Sequence, residues 1–193
     1  MELNGLTEFF AQHKSIVIVG HAMAAAIGLG AATVSDLLFF KFLKDGNITN
    51  KETPILDLMT KIMWVAVALL ALTGIKLFLS NPEVYAVSSK FIVKMAIVGV
   101  IIINGVVMTK YLHKNMQKLT FTDKYHKRVK KIAFASGAIS ISSWYISFIL
   151  GSIRSIPFNV VTGLSAYLAI VVVAIIVSQF MYRYYQKKFL AKK

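Results

Sequence analysis

The sequence predicts an all-α protein, a polytopic membrane helical bundle with five transmembrane helices, and three observations predict it. Hydrophobic residues make up 57% of the 193 and charged residues 16%, against about 45–50% and about 25% in soluble domains. Mean hydropathy is +0.68. Five separate stretches, 15–40, 56–80, 91–112, 132–153 and 158–181, each supply the roughly 20 apolar helical residues that a hydrocarbon core about 30 Å thick requires. A disordered chain and an ordinary soluble enzyme are excluded. So little lies outside the stretches that 1–193 reads as a single transmembrane domain. Cysteine is absent, which removes disulfides, thiolate metal sites and cysteine nucleophiles.

Span one follows MELNGLTEFFAQHK, which carries Glu2 and Glu8 and no basic residue before Lys14; a cleaved signal peptide would have a basic start and a shorter apolar run. At about 100° per residue, His21, Ala25, Gly28, Ala32 and Ser35 fall on one stripe. Beside it runs the small-residue series Gly20, Ala24, Gly28, Ala32, a face that lets a neighbouring backbone approach or leaves room for a flat ligand beside the imidazole. Asp45-Gly46-Asn47 and Pro54 end the span and start the next. Span two carries Lys61 near its start and Lys76 near its end, and Asn81-Pro82 closes it. Span three carries Lys94 and Asn104. Span four sets Gly137, Ser140, Trp144 and Gly151 on one face, and its SISS stretch, 140–143, can bond back to the preceding turn. Ser155-Ile156-Pro157 separates it from span five, and neither span four nor span five holds a charge.

Basic residues outside the spans set the orientation. Lys14, Lys90 and Arg154 lie on one side, and fifteen lie on the other, in the 41–55 and 113–131 loops and the tail after Met181. Cytoplasmic loops carry the excess of Lys and Arg, so the expected topology is N-terminus outside and C-terminus cytoplasmic. The run HKRVKK and the tail YRYYQKKFLAKK then face anionic headgroups, with Tyr182, Tyr184, Tyr185 and Phe189 in the interfacial belt. No nucleic-acid partner is expected, since neither run belongs to a folded reader.

Ionisable side chains inside a bilayer cost at least about 2.5–3.5 kcal/mol near its centre and therefore need a partner or a use. Depth, at about 1.5 Å per residue, sorts them into two layers. His21, Lys94 and Lys76 share the outer one, with Trp144 and Tyr145 slightly deeper. Asp36 and Lys61 share the inner one, with Asn104 somewhat deeper. Asp36–Lys61 reads as an ion pair between spans one and two, structural or part of a proton relay, with Asp57 as a local rival for Lys61. Lys76 and Lys94 can snorkel to headgroups, and Trp144 can be a packed aromatic. His21 is too short to snorkel, so a ligand or proton role competes with a packing role. A single His can hold haem iron with the second axial position open. Copper is the competing metal, with His21 and Met23 offering imidazole and thioether, although Met23 faces nearly opposite to His21. His113, at the other membrane face, cannot pair with His21 across one haem.

The stretches HAMAAAIGLGAATVSDLLFFKFLKD, TKIMWVAVALLALTGIKLFLSNPEVY and SSKFIVKMAIVGVIIINGVVMTKYLHKNM resemble the first three helices of the small membrane protoporphyrinogen oxidases of HemJ type. They are similar also to the copper-resistance-D-like bacterial membrane families. The resemblance covers roughly residues 13–118. It implies a bacterial inner membrane, haem b on His21, and Lys94 as the functional partner in a catalytic role. Lys94, Lys76 and Arg154 would meet the propionates, Trp144 and Tyr145 would wall the site, and a quinone or porphyrin-like molecule would be the redox partner. Where the oxidase pattern has an Arg toward the end of the first helix, this chain has Asp36 and Leu37, and nothing from SISSWYISFILG onward matches it. Two function classes therefore stand side by side. One is a b-haem redox protein. The other is a metal-ion or proton permease with His21 and the Asp36–Lys61 pair as successive stations. Either can act as a homo-oligomer.

Overall fold

A computed structural model describes residues 14–115, 121, 126–153 and 157–191. Arg154, His13 and the loop position Gln117 lie outside the described residues. Five helices are long and apolar enough to cross a membrane: α1 Lys14–Asp45, α2 Thr53–Leu79, α3 Ser89–Asn115, α4 Lys127–Ser152 and α5 Val160–Leu190. The all-α membrane bundle expected from hydropathy is thus present.

Local chemistry sets the helix ends. α1 tightens into a 3₁₀ turn at Leu43–Asp45 and stops at Gly46, whose φ of 82° is a left-handed cap that glycine adopts without steric cost. Before α2, the Glu52 carboxylate accepts from both the backbone N–H and the hydroxyl of Thr49, each at 2.8 Å, and Pro54 occupies the first turn, where its missing N–H costs nothing. Asn159 caps α5 by accepting from the backbone N–H of Thr162 at 2.8 Å. A one-turn helix, Pro82–Ala86, joins α2 to α3. Within α3 the α-helix runs Ser89–Val107, a π-helical turn follows at Met108–Leu112, and His113–Asn115 return to α-helix.

α1 packs most extensively on α2, while α4 sits centrally against α1, α3 and α5; α2 and α3 barely meet. The small-residue face of α1 makes this possible: Ala24, Gly28, Ala31, Ala32 and Ser35 are all buried. The 43–52 loop, Phe121 and the α5 tail gather at one end, hereafter the basic end, where Leu43, Phe121, Phe134, Tyr182 and Phe189 form one cluster. At the opposite, far end Lys90 donates its ammonium to the carbonyl of Ile153, answering the exposed carbonyls that close α4.

The basic end departs from expectation. α4 begins five residues before the apolar stretch and α5 continues nine residues beyond it. Tyr182 and Phe189 are 5% and 4% exposed and pack on Phe121 and Phe134, so they are not residues of an interfacial belt; Tyr185 stacks on Phe40 and Phe189. Tyr184 alone of the four is widely exposed, at 64%. Lys130 of the basic run is likewise not at a headgroup surface: it is fully buried, its ammonium 5.2 Å from the Phe121 ring centroid. Phe121 organises this end. Its N–H donates to the Gly46 carbonyl at 2.6 Å, and its carbonyl accepts from the Gln186 amide at 3.3 Å.

Candidate functional site

In the far half, His21 leans on α2. Its Nδ1 lies 2.8 Å from the Thr73 hydroxyl, and its Cε1 lies beside Gly74, 3.8 Å from where a Cβ would stand, an ordinary van der Waals contact. Thr73 has one hydroxyl proton and donates it to the Leu69 carbonyl at 2.6 Å. With its proton on that carbonyl, Thr73 accepts from His21 Nδ1–H, the tautomer that leaves the lone pair on Nε2. The same device recurs twice. Thr33 donates to Leu29 and sits 3.3 Å from the Tyr145 hydroxyl. Thr109 donates to Gly105 and accepts from the Trp64 indole at 3.0 Å. Each threonine bonds back to its own turn and meets a ring on another helix.

Lys94 is half-buried. Its Nζ lies 3.4 Å from where a Cβ on Gly151 would be, at the negative end of α4. Lys76 is exposed on α2. Tyr145 is 42% exposed and Met23 is 61% exposed, so both turn away from the interior.

The space beside Gly28, expected to admit a ligand edge, is filled. A Cβ on Gly28 would lie 2.2 Å from Cη2 of Trp144, and Trp144 is 3% exposed. The indole itself is the flat group this face accommodates. For a haem on His21, the donor nitrogen fits and the Gly28 face does not.

The basic half is built differently. A cavity of about 630 Å³ is walled by all five helices, within the roughly 300–1,000 Å³ of small-molecule pockets. Asp36, Asp57, Lys61 and His113 lie on its wall among aromatic side chains. Asp57 meets His113 in a hydrogen bond, 2.6 Å between Oδ1 and Nδ1, which is an ion pair when the imidazole is protonated. Asp36 and Lys61 share the cavity without an ion pair within 4.0 Å, and Asp57 turns to α3 instead of to Lys61. The expected direct pair is therefore absent. Lys61 is exposed, whereas Asp36 points toward α4, its Oδ1 3.4 Å from where a Cβ on Gly137 would stand.

Between the halves the interior is tight. A cleft of about 20 Å³ shares Thr60, Trp64 and Met108 with the cavity and reaches Asn104 and Trp144, room for about one water. Asn104 donates to the Ser136 carbonyl at 3.0 Å and accepts from the Ser136 hydroxyl at 2.7 Å, a reciprocal buried bond that locks α3 to α4. In the SISS stretch Ser142 bonds back to Ala138 at 2.6 Å, as expected, while Ser143 reaches across to the Tyr167 hydroxyl at 2.8 Å.

Sequence reasoning missed His113, which it left in a loop, and Trp64. The π-helical turn directly before His113 inserts extra backbone into the helix, so an uninterrupted helical wheel places His113 on the wrong bearing. Among the described residues no three His, Cys, Asp or Glu side chains are grouped to hold a metal ion. No family model matches the chain, and neither a curated protein nor a solved structure matches it; nothing ties it specifically to the HemJ or copper-resistance-D families, and what stands is a polytopic, all-helical membrane protein.

Proposed function

We propose that the protein is a proton-conducting permease whose basic-end cavity faces the cytoplasm. The observation that carries this reading is a cavity walled by five helices into which an intramembrane carboxylate, Asp36, projects without an ion-pair partner among the described residues. A carboxylate at such depth demands a use. The Asp57–His113 pair and Lys61 form its approach, and His21, oriented by Thr73, is the station beyond the constriction at Trp144. Purified protein in liposomes, with a pH dye inside and a valinomycin-set potential, should pass protons above the empty-vesicle rate. Asp36→Asn should lower that rate at least tenfold. Wild-type flux equal to empty vesicles would sink the reading.

The cytoplasmic placement rests on the fifteen-to-three distribution of basic residues. A single cysteine at the exposed Val84 should react with an impermeant maleimide on intact cells, and one at Lys44 only after permeabilisation.

Haem b on His21 is the second reading, favoured by the tautomer that leaves Nε2 available. A bound haem would supply redox chemistry toward a quinone or porphyrin-like molecule, with Lys94 beside it, and it would have to seat away from the Gly28 face. Its test is a Soret band that His21→Ala removes and His113→Ala does not.

A further inference from the structure

Resting on the permease reading, we propose that the cavity also takes a monovalent lipophilic organic cation, held by the Asp36 carboxylate and exchanged there for a proton. Size comes first. About 630 Å³ is far more than a proton or a bare metal ion needs, and it matches a drug-sized solute.

The wall chemistry selects the class. Phe39, Phe40, Trp64 and Phe134 all line the cavity, and aromatic faces attract cations. Two of these rings are held firmly. Trp64 is fixed through its bond to Thr109, and Phe134 is clamped edge-on by Phe39 and Phe40. Rigid walls lose little freedom when a ligand binds.

Charge settles the sign. The titratable groups on the wall are Asp36, Asp57, Lys61 and His113. Asp57 is engaged by His113, and Lys61 is exposed. That leaves Asp36, beside Gly137, which puts no side chain over the carboxylate. The negative charge at Asp36 is balanced either by a proton or by a cation, and a cation bearing apolar groups also fills the space. An anion beside Gly137 would meet the unpaired Asp36 carboxylate, the exposed Lys61 being the lysine of the wall, and an inorganic cation would lack the oxygen cage it prefers.

The test uses tetraphenylphosphonium and tetraphenylborate, ions of the same shape and opposite charge. Equilibrium dialysis of the full-length protein in detergent, against empty micelles, should show saturable phosphonium binding. Asp36→Asn should weaken it at least tenfold, and Asp36→Glu should retain most of it, which guards against simple misfolding. Tetraphenylborate should not distinguish the wild type from Asp36→Asn. In weakly buffered solution, phosphonium binding should release one proton per cation, and Asp36→Asn should abolish the release.

Equal phosphonium binding by wild type and Asp36→Asn would overturn the proposal, because the cavity would then accept apolar groups of any charge. Binding without proton release would remove the exchange. Asp36-dependent proton flux with no saturable phosphonium binding would discard the organic cation and leave the permease intact. Asp36-dependent binding with no flux would do the reverse.

Discussion

The two halves of the bundle start from the same materials and end differently. Each has an ionisable residue at depth on α1, His21 in one and Asp36 in the other, and each sets a glycine near a ring or a charge on the facing helix. In the far half the glycine is Gly28, and Trp144 lies directly on it. In the basic half the glycine is Gly137; it lies beside Asp36, and the volume around them stays open. A small residue on a membrane helix is therefore a vacancy only when no aromatic ring from a neighbour claims it. The far half spends its small residues on close packing, and the basic half keeps a chamber.

That contrast can be broken at its most tightly packed point. Gly28→Ala should be the most damaging small change, since its Cβ would overlap the indole; overpacking of this kind costs about 1–3 kcal/mol. Thermal unfolding in detergent should show the loss, and Trp144→Leu in the same chain should recover part of it. A Gly28→Ala protein as stable as wild type would show that the far half is looser than described. Gly137→Ala is the matched control, because its Cβ meets the carboxylate at an ordinary 3.4 Å, and it should leave the unfolding temperature nearly unchanged.

The next effect lies between the halves. Asn104→Ala strands the buried Ser136 hydroxyl, which costs about 1–3 kcal/mol, whereas Asn104→Leu together with Ser136→Ala removes both partners and should be milder. A double variant as unstable as the single one would mean that Asn104 acts through something other than Ser136. The functional contrast comes third. Asp36→Asn should reduce proton flux at least tenfold, about 1.4 kcal/mol in barrier, with little change in unfolding temperature. The smallest effect is at the cavity mouth: His113→Ala breaks an exposed pair, worth about 0–1 kcal/mol. A loss well above that would give the Asp57–His113 bond a larger part in joining α2 to α3.

How much of this was legible depended on the kind of signal. The five spans were legible because hydropathy acts residue by residue, and the lipid imposes the length. The buried stripe on α1 was legible as well, because the series Gly20, Ala24, Gly28, Ala32 needs only the helical repeat. What filled the stripe was not: Trp144 stands 116 positions from Gly28, and no local pattern announces their meeting. Grouping Asp36 and Lys61 by depth put them on one cavity wall, but depth carries no azimuth, so it could not show that Asp36 turns to α4 and Asp57 to His113. The helical tail of α5 escaped a criterion based on apolar length because Tyr182–Leu190 is held by Phe121 and Phe134, outside any lipid argument.

The unequal packing of the helices has a mechanical consequence. α1 and α2 are closely joined, α3, α4 and α5 form a second group, and α2 meets α3 through a few side chains, the Trp64–Thr109 and Asp57–His113 bonds and the stacked Phe78 and Phe91 rings. The pair and the triplet are joined along α1 and α4, where Trp144 rests on Gly28, Tyr145 meets Thr33, Gly137 lies beside Asp36 and Phe134 packs on Phe39 and Phe40. The α2–α3 side is therefore where the fewest contacts close the bundle around the chamber, and under the organic-cation proposal it is the side from which a greasy solute would enter from the leaflet without crossing open water.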